Sequence, residues 1–465
     1  MRKVALTLAL LLCPQTAGAA ELDGASMGVV WALPFAGLLL SIALFPIITH
    51  HVWEMHCGKI AALWALMLLA AMILHDGFPA TLAALIHTAL LEYIPFILLL
   101  LALFTVAGGI VLRGNLHGSP GTNTALLAFG TILASIAGTT GAAMVLIRPL
   151  LRANDDRRRN VHIVVFFIFL VANIGGALTP LGDPPLFLGF LRGVSFFWTT
   201  THLAVQTLFL SVILLAAFFA LDTYLYRQDG HKQPDPRPDD PPLRLAGLIN
   251  VALLFVIIAA ILMSALADLG TIAIYGTTVT IAGLLRDTAM VAVTLASLWL
   301  TPIGYRSENG FTWEPIAEVA KLFAAIFITI IPVLAMLKAG AAGAFAPIVA
   351  LVSNSAGNPN EAAYFWATGL LSSFLDNAPT YIVFFELAGG DPVSLMGEKA
   401  LTLTGISAGA VFMGALTYIG NAPNFMIYAI ARRAGVKMPG FFGYILWSGV
   451  ILIPLFLAMT LIFFI

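Results

Sequence analysis

Long runs of apolar residues dominate the pattern of hydrophobic and polar positions along this chain. Residues 94–112, 245–266 and 445–465 contain no charged side chain. Each stretch reaches the roughly 20 residues that an α-helix needs to cross the hydrocarbon core of a bilayer. The pattern therefore predicts an all-α membrane protein with several spans, and it leaves no soluble alternative.

Composition agrees with a membrane location. Hydrophobic residues make up 60% of the 465 positions and charged residues only 10%, whereas soluble domains carry about 25% charged residues. A net charge of -1 gives no indication of a nucleic-acid partner. Of the two cysteines, Cys13 falls in the apolar start of the chain, so no disulfide or cysteine-based metal site is predicted.

Two segments differ from the apolar runs and divide the chain. Residues 1–20 combine a basic start, a short apolar core and a small-residue Ala-Gly-Ala site, which predicts a secretory signal peptide. The alternative is an uncleaved N-terminal anchor. Residues 227–243 are polar, charged and rich in proline, which predicts a solvated linker. The linker separates a first transmembrane repeat, residues 21–226, from a second, residues 244–465.

The two halves share sequence blocks at one fixed offset. Residues 176–185 (GALTPLGDPP) align with residues 414–423 (GALTYIGNAP), about 238 positions later (414 minus 176). The same offset aligns residues 135–141 (SIAGTTG) with residues 373–379 (SFLDNAP). Two ungapped blocks in one register, each interrupting an apolar run, predict an internal repeat.

Each half is predicted to contain three spans, a re-entrant hairpin, a broken span and a last span. The predicted segments are 28–48, 59–75, 92–113, hairpin 124–151, 161–196 and 202–226 in the first half, and 244–267, 288–303, 318–338, hairpin 363–387, 401–434 and 441–465 in the second. Residues 269–285 are predicted to lie at the edge of the bilayer. Five crossings per half make the second half inverted, and this topology places most basic loops and the linker on the cytoplasmic side.

Each half contains two interruptions of an apolar run. Backbone polar groups must be satisfied inside a bilayer, so such breaks are tolerated only where they line protein or water. Paired breaks at corresponding positions indicate a transporter's binding site, although single breaks of this kind can also be plain helix kinks. The candidate ion- or substrate-binding residues on the four breaks are Thr139, Thr140, Thr179, Asp183, Asp376, Asn377, Thr417 and Asn421.

Two of these candidates are acids, which are costly inside a membrane and usually functional. Burial favours the neutral form of a carboxyl group, whereas a bound cation favours the charged form. Na⁺ and H⁺ would therefore compete at Asp183 and Asp376. The offset replaces Asp183 by Asn421 and Asp376 by Gly138 in the other half, which predicts two sites with one acid each.

Residues 173–185 (NIGGALTPLGDPP) resemble the signature loop of the ion-transporter superfamily, which includes D-type sodium:proton antiporters, citrate–metal transporters, arsenite permeases and dicarboxylate symporters. Residues 372–380 (SSFLDNAPT) resemble its second hairpin, and Arg306 together with residues 309–320 (NGFTWEPIAEVA) resembles a stretch common in its antiporter and citrate branch. The resemblance adds Asn173 to the candidates. It implies a cation site at each hairpin tip, elevator-like motion and a homodimer. The Ser-Asn-Thr tips of the dicarboxylate carriers are replaced here.

The sequence therefore predicts a secondary active ion transporter of a bacterial inner membrane, because no phosphate loop or catalytic triad is present to drive transport by hydrolysis. No enzyme is predicted, since an enzyme acting on lipid needs an acid–base pair at the membrane interface and the acids here fall on mid-membrane breaks. A passive channel is a further alternative, although re-entrant hairpins paired with broken helices fit alternating access better. Na⁺/H⁺ antiport through Asp183 and Asp376 is the preferred hypothesis, with Na⁺ and H⁺ as the transported ions and no resident cofactor or metal. Cation-coupled transport of citrate or another organic anion is the alternative. Arg148 would then contact the anion; otherwise it reaches lipid phosphates at the membrane surface.

Overall fold

The computed structural model describes residues 23–114, 116–229, 242–354 and 357–465. The predicted signal peptide, residues 1–20, lies outside the described residues, and so does most of the predicted linker, of which residues 227–229 and 242–243 are described.

Helices make up nearly all of the regular structure. The elements of the first half are the helices α1 (Leu33–Ile48), α2 (His50–Asp76), α3 (Phe78–Thr88), α4 (Ile94–Gly108), α5 (Pro120–Ala137), α6 (Thr139–Ala153), α7 (Val161–Leu170), α8 (Pro184–Leu191) and α9 (Trp198–Gln228), with the strand β1 (Val111–Arg113). The elements of the second half are the strands β2 (Arg244–Ala246), β3 (Thr271–Ile274) and β4 (Thr277–Thr280), and the helices α10 (Leu248–Leu266), α11 (Ile281–Leu300), α12 (Ile303–Glu308), α13 (Glu314–Thr329), α14 (Ile331–Lys338), α15 (Ala346–Leu351), α16 (Glu361–Phe374), α17 (Asn377–Leu387), α18 (Pro392–Met396), α19 (Ala400–Phe412), α20 (Ala422–Arg433) and α21 (Phe441–Phe463).

Nine helices within the described ranges are long and apolar enough to cross a membrane. A tenth span is formed if α13 and α14, which meet at an angle of 42°, are taken together. The prediction of an all-α membrane protein is confirmed. The helix α5 is itself 18 residues long and belongs to the nine, so the re-entrant course of the first hairpin stays a prediction.

Several predicted segment boundaries differ from the structure; three of them have a clear structural reason. The span predicted for 92–113 begins at Phe78, because a π turn at Ala89–Tyr93 joins α3 to α4 without a break. The span predicted for 244–267 begins at Leu248, since β2 pairs with β1 in an antiparallel ladder first. In the segment 269–285, β3 and β4 form a hairpin and α11 already starts at Ile281.

The described chain forms two compact units, each assembled from both halves of the sequence. The first unit contains residues 23–101, 257–292 and 316–350, and the second contains residues 102–256, 293–315 and 351–465. In the first unit α1 packs closely on α2, because Gly37 leaves room for the ring of Trp64. The Trp64 indole N–H donates to Ser41 Oγ at 3.1 Å. All the candidate site residues belong to the second unit.

The second unit is built around two largely apolar helices that are buried on every side. In α7 the residues from Ile163 to Leu170 are at most 2% exposed, and in α19 the residues from Thr402 to Phe412 are all buried. A helix without a polar face must be surrounded by protein or lipid, and these two are surrounded by protein. Each runs directly into one of the interrupted segments. The interruptions therefore begin in the interior of this unit.

The motif at residues 306–309 stabilises the end of α4. The last carbonyls of a helix have no partner within the helix. Here the Asn309 amide donates to the carbonyls of Gly108, at 3.1 Å, and Ile110, at 2.5 Å, while the Arg306 guanidinium donates to the carbonyl of Thr105 at 2.6 Å. Arg306 and Asn309 are both buried, so this part of the resembling sequence has a structural role.

Candidate functional site

The first break interrupts the predicted span 161–196. A short 3-10 turn, Ile174–Leu178, follows α7, and the chain then becomes extended at Thr179 and again at Asp183 before α8 begins at Pro184. Proline lacks a backbone N–H and clashes with the preceding turn, so Pro180 and Pro184 prevent one continuous helix. The Asp183 side chain is thereby left at the N-terminus of α8.

The second break has the same local structure. A 3-10 turn, Met413–Leu416, follows α19, and the chain is extended at Thr417 and at Asn421, the residue before α20. Asn421 caps α20, because its side-chain oxygen accepts a hydrogen bond from the backbone N–H of Asn424 at 2.9 Å.

At each break, a threonine hydroxyl forms a hydrogen bond with the backbone of the neighbouring hairpin. The Thr179 hydroxyl donates to the carbonyl of Ser135, and the Thr417 hydroxyl donates to the carbonyl of Ser373. Both pairs are 44 residues apart along the chain. The equivalence supports the predicted repeat; inversion of the second half stays a prediction.

The tip of the first hairpin lies on the first break. Gly138 joins α5 to α6 with a φ of +79°, a conformation that favours glycine. The next residue, Thr139, donates its backbone N–H to the carbonyl of Gly182 at 2.8 Å and its hydroxyl to Asp183 Oδ1 at 3.2 Å. Thr140 is half-buried and makes no side-chain hydrogen bond with any described residue.

The tip of the second hairpin reaches the same carboxylate. The Asn377 amide donates to Asp183 Oδ2 at 2.5 Å. The neighbouring Asp376 caps α17, since its Oδ1 accepts the backbone N–H of Ala378 at 3.1 Å. Asp376 lies close enough to Asp183 for the two negative charges to repel each other. Both hairpin tips therefore reach the Asp183 carboxylate through Thr139 and Asn377, and Asp376 lies near enough to interact with it electrostatically.

Around Asp183 this acidic centre is buried, while Asp376 is half-buried, and none of its members in the described ranges is positively charged. Asp183, Asn377 and Thr139 are each 1% exposed. Asp183 receives one neutral donor on each oxygen, and within the described part of the chain no lysine, arginine or histidine pairs with it. A buried carboxylate is costly unless a counter-charge or a proton neutralises it. The centre therefore has the chemistry to bind either a cation or a proton.

A second polar cluster joins the two breaks without any acid. Asn173 donates to Asn424 Oδ1 at 2.8 Å, and Asn421 donates to Asn173 Oδ1 at 2.9 Å. Asn424 donates in turn to the carbonyls of Gly414, at 2.9 Å, and Thr417, at 3.1 Å. All three amide oxygens accept a hydrogen bond. The cluster therefore holds the two breaks together.

The structure distributes the predicted site residues over three roles. Thr139, Asp183, Asp376 and Asn377 come together, whereas Asn173 and Asn421 lie in the amide cluster, and Thr179 and Thr417 brace the backbone. The contact between Asn377 and Asp183 crosses from the hairpin of one half to the break of the other, which the repeat alone did not predict. The number of cation sites stays a prediction.

Two features of the second unit escaped the sequence-based predictions. One is Asn424. It could have been identified because it is a polar residue three positions after Asn421, an asparagine expected to cap a helix. The other is Asp222, an acid within the predicted span 202–226 and therefore a residue that its rarity in membranes could have singled out.

Asp222 is the centre of a buried ionic cluster. Its Oδ1 forms an ion pair with Arg157 at 2.6 Å and lies 2.8 Å from His162 Nε2, and its Oδ2 accepts from the Asn123 amide at 2.9 Å. Asp222 and Asn123 are 0% exposed. The cluster joins α5, α7 and α9 with the loop after α6, so it stabilises the surroundings of the first hairpin.

Comparison with known proteins adds an independent line of support. Residues 24–464 match the model of a protein family described as "Putative citrate transport". The chain is also 26% identical, over 336 residues, to proteins named as uncharacterized transporters in Mycobacterium bovis and Mycobacterium tuberculosis. In each case the match covers 69% of this chain and 72% of the relative.

Proposed function

The chain belongs to the citrate transport family that it matches over residues 24–464, and from that premise we propose that it is a secondary active transporter whose coupling site is the Asp183–Asp376 centre. It is a multi-pass membrane transporter and not an enzyme. The finer proposal is Na⁺/H⁺ antiport. A bacterial inner membrane and a homodimer remain part of the same proposal.

One observation carries the proposal: the buried Asp183 carboxylate receives hydrogen bonds only from neutral groups, and the half-buried Asp376 lies near enough to repel its charge. Such a centre requires a positive charge, which either H⁺ or Na⁺ supplies. The two ions compete for the same oxygens, because protonation removes the charge that attracts sodium. A carrier that exposes this centre alternately to the two sides exchanges one ion for the other.

Transport of citrate coupled to a cation is the second candidate, and the family match favours it. Citrate carries several carboxylates, which the charges of Asp183 and Asp376 would repel. The anion would therefore have to enter together with cations that neutralise the two acids. On this hypothesis the acidic centre remains the cation site.

The test is proton movement in proteoliposomes that contain the purified full-length chain. Addition of sodium should move protons through the wild-type protein, and Asp183→Asn and Asp376→Asn should each abolish that signal. Asp391→Asn is a matched control, because Asp391 is an exposed acid that caps α18. Wild-type rates in both site variants would disprove the assignment. Uptake of labelled citrate in the same vesicles distinguishes the two candidates, since an antiporter should show none.

A further inference from the structure

Arg148, on the second arm of the first hairpin, is a half-buried arginine that forms neither a hydrogen bond nor an ion pair with any residue in the described ranges. Its repeat equivalent, at the offset of 238 (386 minus 148), is Glu386 on the second hairpin. Glu386 pairs with Arg192, and both side chains are largely buried. The charge on one hairpin is therefore neutralised by protein, and the charge on the other is not.

The loop after α12 forms one wall beside Arg148. Gly310, whose φ is +52°, lies so close that a Cβ atom there would overlap the Arg148 guanidinium, with its central carbon only 3.1 Å away. The glycine leaves the space next to the loop backbone that the guanidinium occupies. The position of the side chain is thus defined by packing, even without an acidic partner.

The charges around Arg148 add to its own. Arg152, one helical turn further along α6, is exposed and repels Arg148; it donates one hydrogen bond to the carbonyl of Leu112 at 3.0 Å. The acid Glu308 lies in the same region but is bound to Arg113, which donates Nε to Glu308 Oε2 at 2.8 Å and makes a second hydrogen bond. These hydrogen bonds lower the pKa of the Glu308 carboxyl, and the charge of Arg152 lowers it further. Neither contact of Glu308 reaches Arg148.

We propose that Arg148 and Arg152 form a binding site for an oxyanion, either a carboxylate or a phosphate group. An arginine presents several N–H donors in a plane, a geometry that matches two oxygens of such a group. A half-buried guanidinium next to a like charge gains most from a ligand that supplies the missing negative charge. The site is separate from the Asp183–Asp376 centre and does not depend on the proposed ion exchange.

Two sources can supply this chemistry, a soluble anion or the phosphate of an anionic lipid, and two measurements separate them. Binding of labelled citrate and of inorganic phosphate is measured on the full-length protein in nanodiscs of phosphatidylcholine alone. Retention of phosphatidylglycerol against phosphatidylcholine is measured by native mass spectrometry. The variants are Arg148→Ala, Arg148→Lys and the control Arg158→Ala, which removes an exposed arginine of the loop after α6.

We expect Arg148→Ala to weaken binding in one of the two measurements about tenfold, the loss typical of one charge-assisted hydrogen bond, while Arg158→Ala matches the wild type. If the binding of citrate or phosphate falls, the ligand is a soluble anion. If the retention of phosphatidylglycerol falls, the ligand is a lipid phosphate. Arg148→Lys keeps the charge without the planar donors, so its binding should weaken less. If Arg148→Ala does not elute as a single species, the binding of Arg148→Lys is used for the test instead. Unchanged binding of citrate, phosphate and phosphatidylglycerol in the Arg148 variants, or an equal loss in Arg158→Ala, would overturn the site.

Discussion

Gly176 offers a sharp test of the acidic centre, because the repeat supplies its own control at Gly414. Gly176→Ala would place a methyl group 2.7 Å from Thr139 Cγ2 and 3.1 Å from Asp183 Cβ. Carbon atoms normally approach to about 3.5 Å, so the Thr139 side chain must move by about 0.8 Å (3.5 minus 2.7). Its hydroxyl already lies 3.2 Å from Asp183 Oδ1, and a shift of this size away from Asp183 breaks the hydrogen bond.

The equivalent Gly414→Ala affects different atoms. Its methyl group would lie 2.9 Å from Asn173 Oδ1 and 3.7 Å from Asn421 Nδ2, so it strains the amide cluster and leaves Asp183 untouched. Overpacking of a close-packed interior costs about 1–3 kcal/mol, and this cost should appear in both variants. Only Gly176→Ala should also change ion binding.

The assay compares the sodium dependence of proton movement with thermal melting of the purified protein. We expect Gly176→Ala to require about tenfold more sodium for half-maximal exchange, because about 1.4 kcal/mol corresponds to a tenfold change in affinity. Gly414→Ala should melt earlier than the wild type but keep its sodium dependence. Equal sodium dependence in the two variants would refute the assignment of the acidic centre to the first break.

Three further predictions concern stability and topology. Asp222→Ala leaves the buried charge of Arg157 without its partner and should lower the free energy of unfolding by about 3–5 kcal/mol, so the melting temperature should fall. An unchanged melting temperature would show that the ionic cluster does not stabilise the protein. Asn309→Ala removes the donor to two carbonyls at the end of α4 and should destabilise the protein by about 1–3 kcal/mol, again read from melting, with an unaltered transition contradicting the capping role. A reporter fused into the linker 227–243 should report a cytoplasmic location, and an external signal would reverse the predicted topology.

The sequence alone identified the class of protein and the places where its helices break, because both are local properties. An apolar run of sufficient length partitions into a bilayer whatever its neighbours are. A proline interrupts its own helix by removing an N–H and clashing with the preceding turn. The extended residues Thr179 and Thr417, and the position of Asp183 before α8, follow from the residues immediately around them.

Only the tertiary structure shows which of these residues contact each other. The partners of Asp183 lie 44 and 194 positions away, and Asn173 joins Asn421 across 248 positions. The offset between the repeats paired each hairpin with the break of its own half and so predicted two one-acid sites. In the structure, Asn377 instead donates to Asp183, the acid of the other half. A contact between residues this far apart in the chain depends on how the segments pack, so no local pattern of residues predicts it.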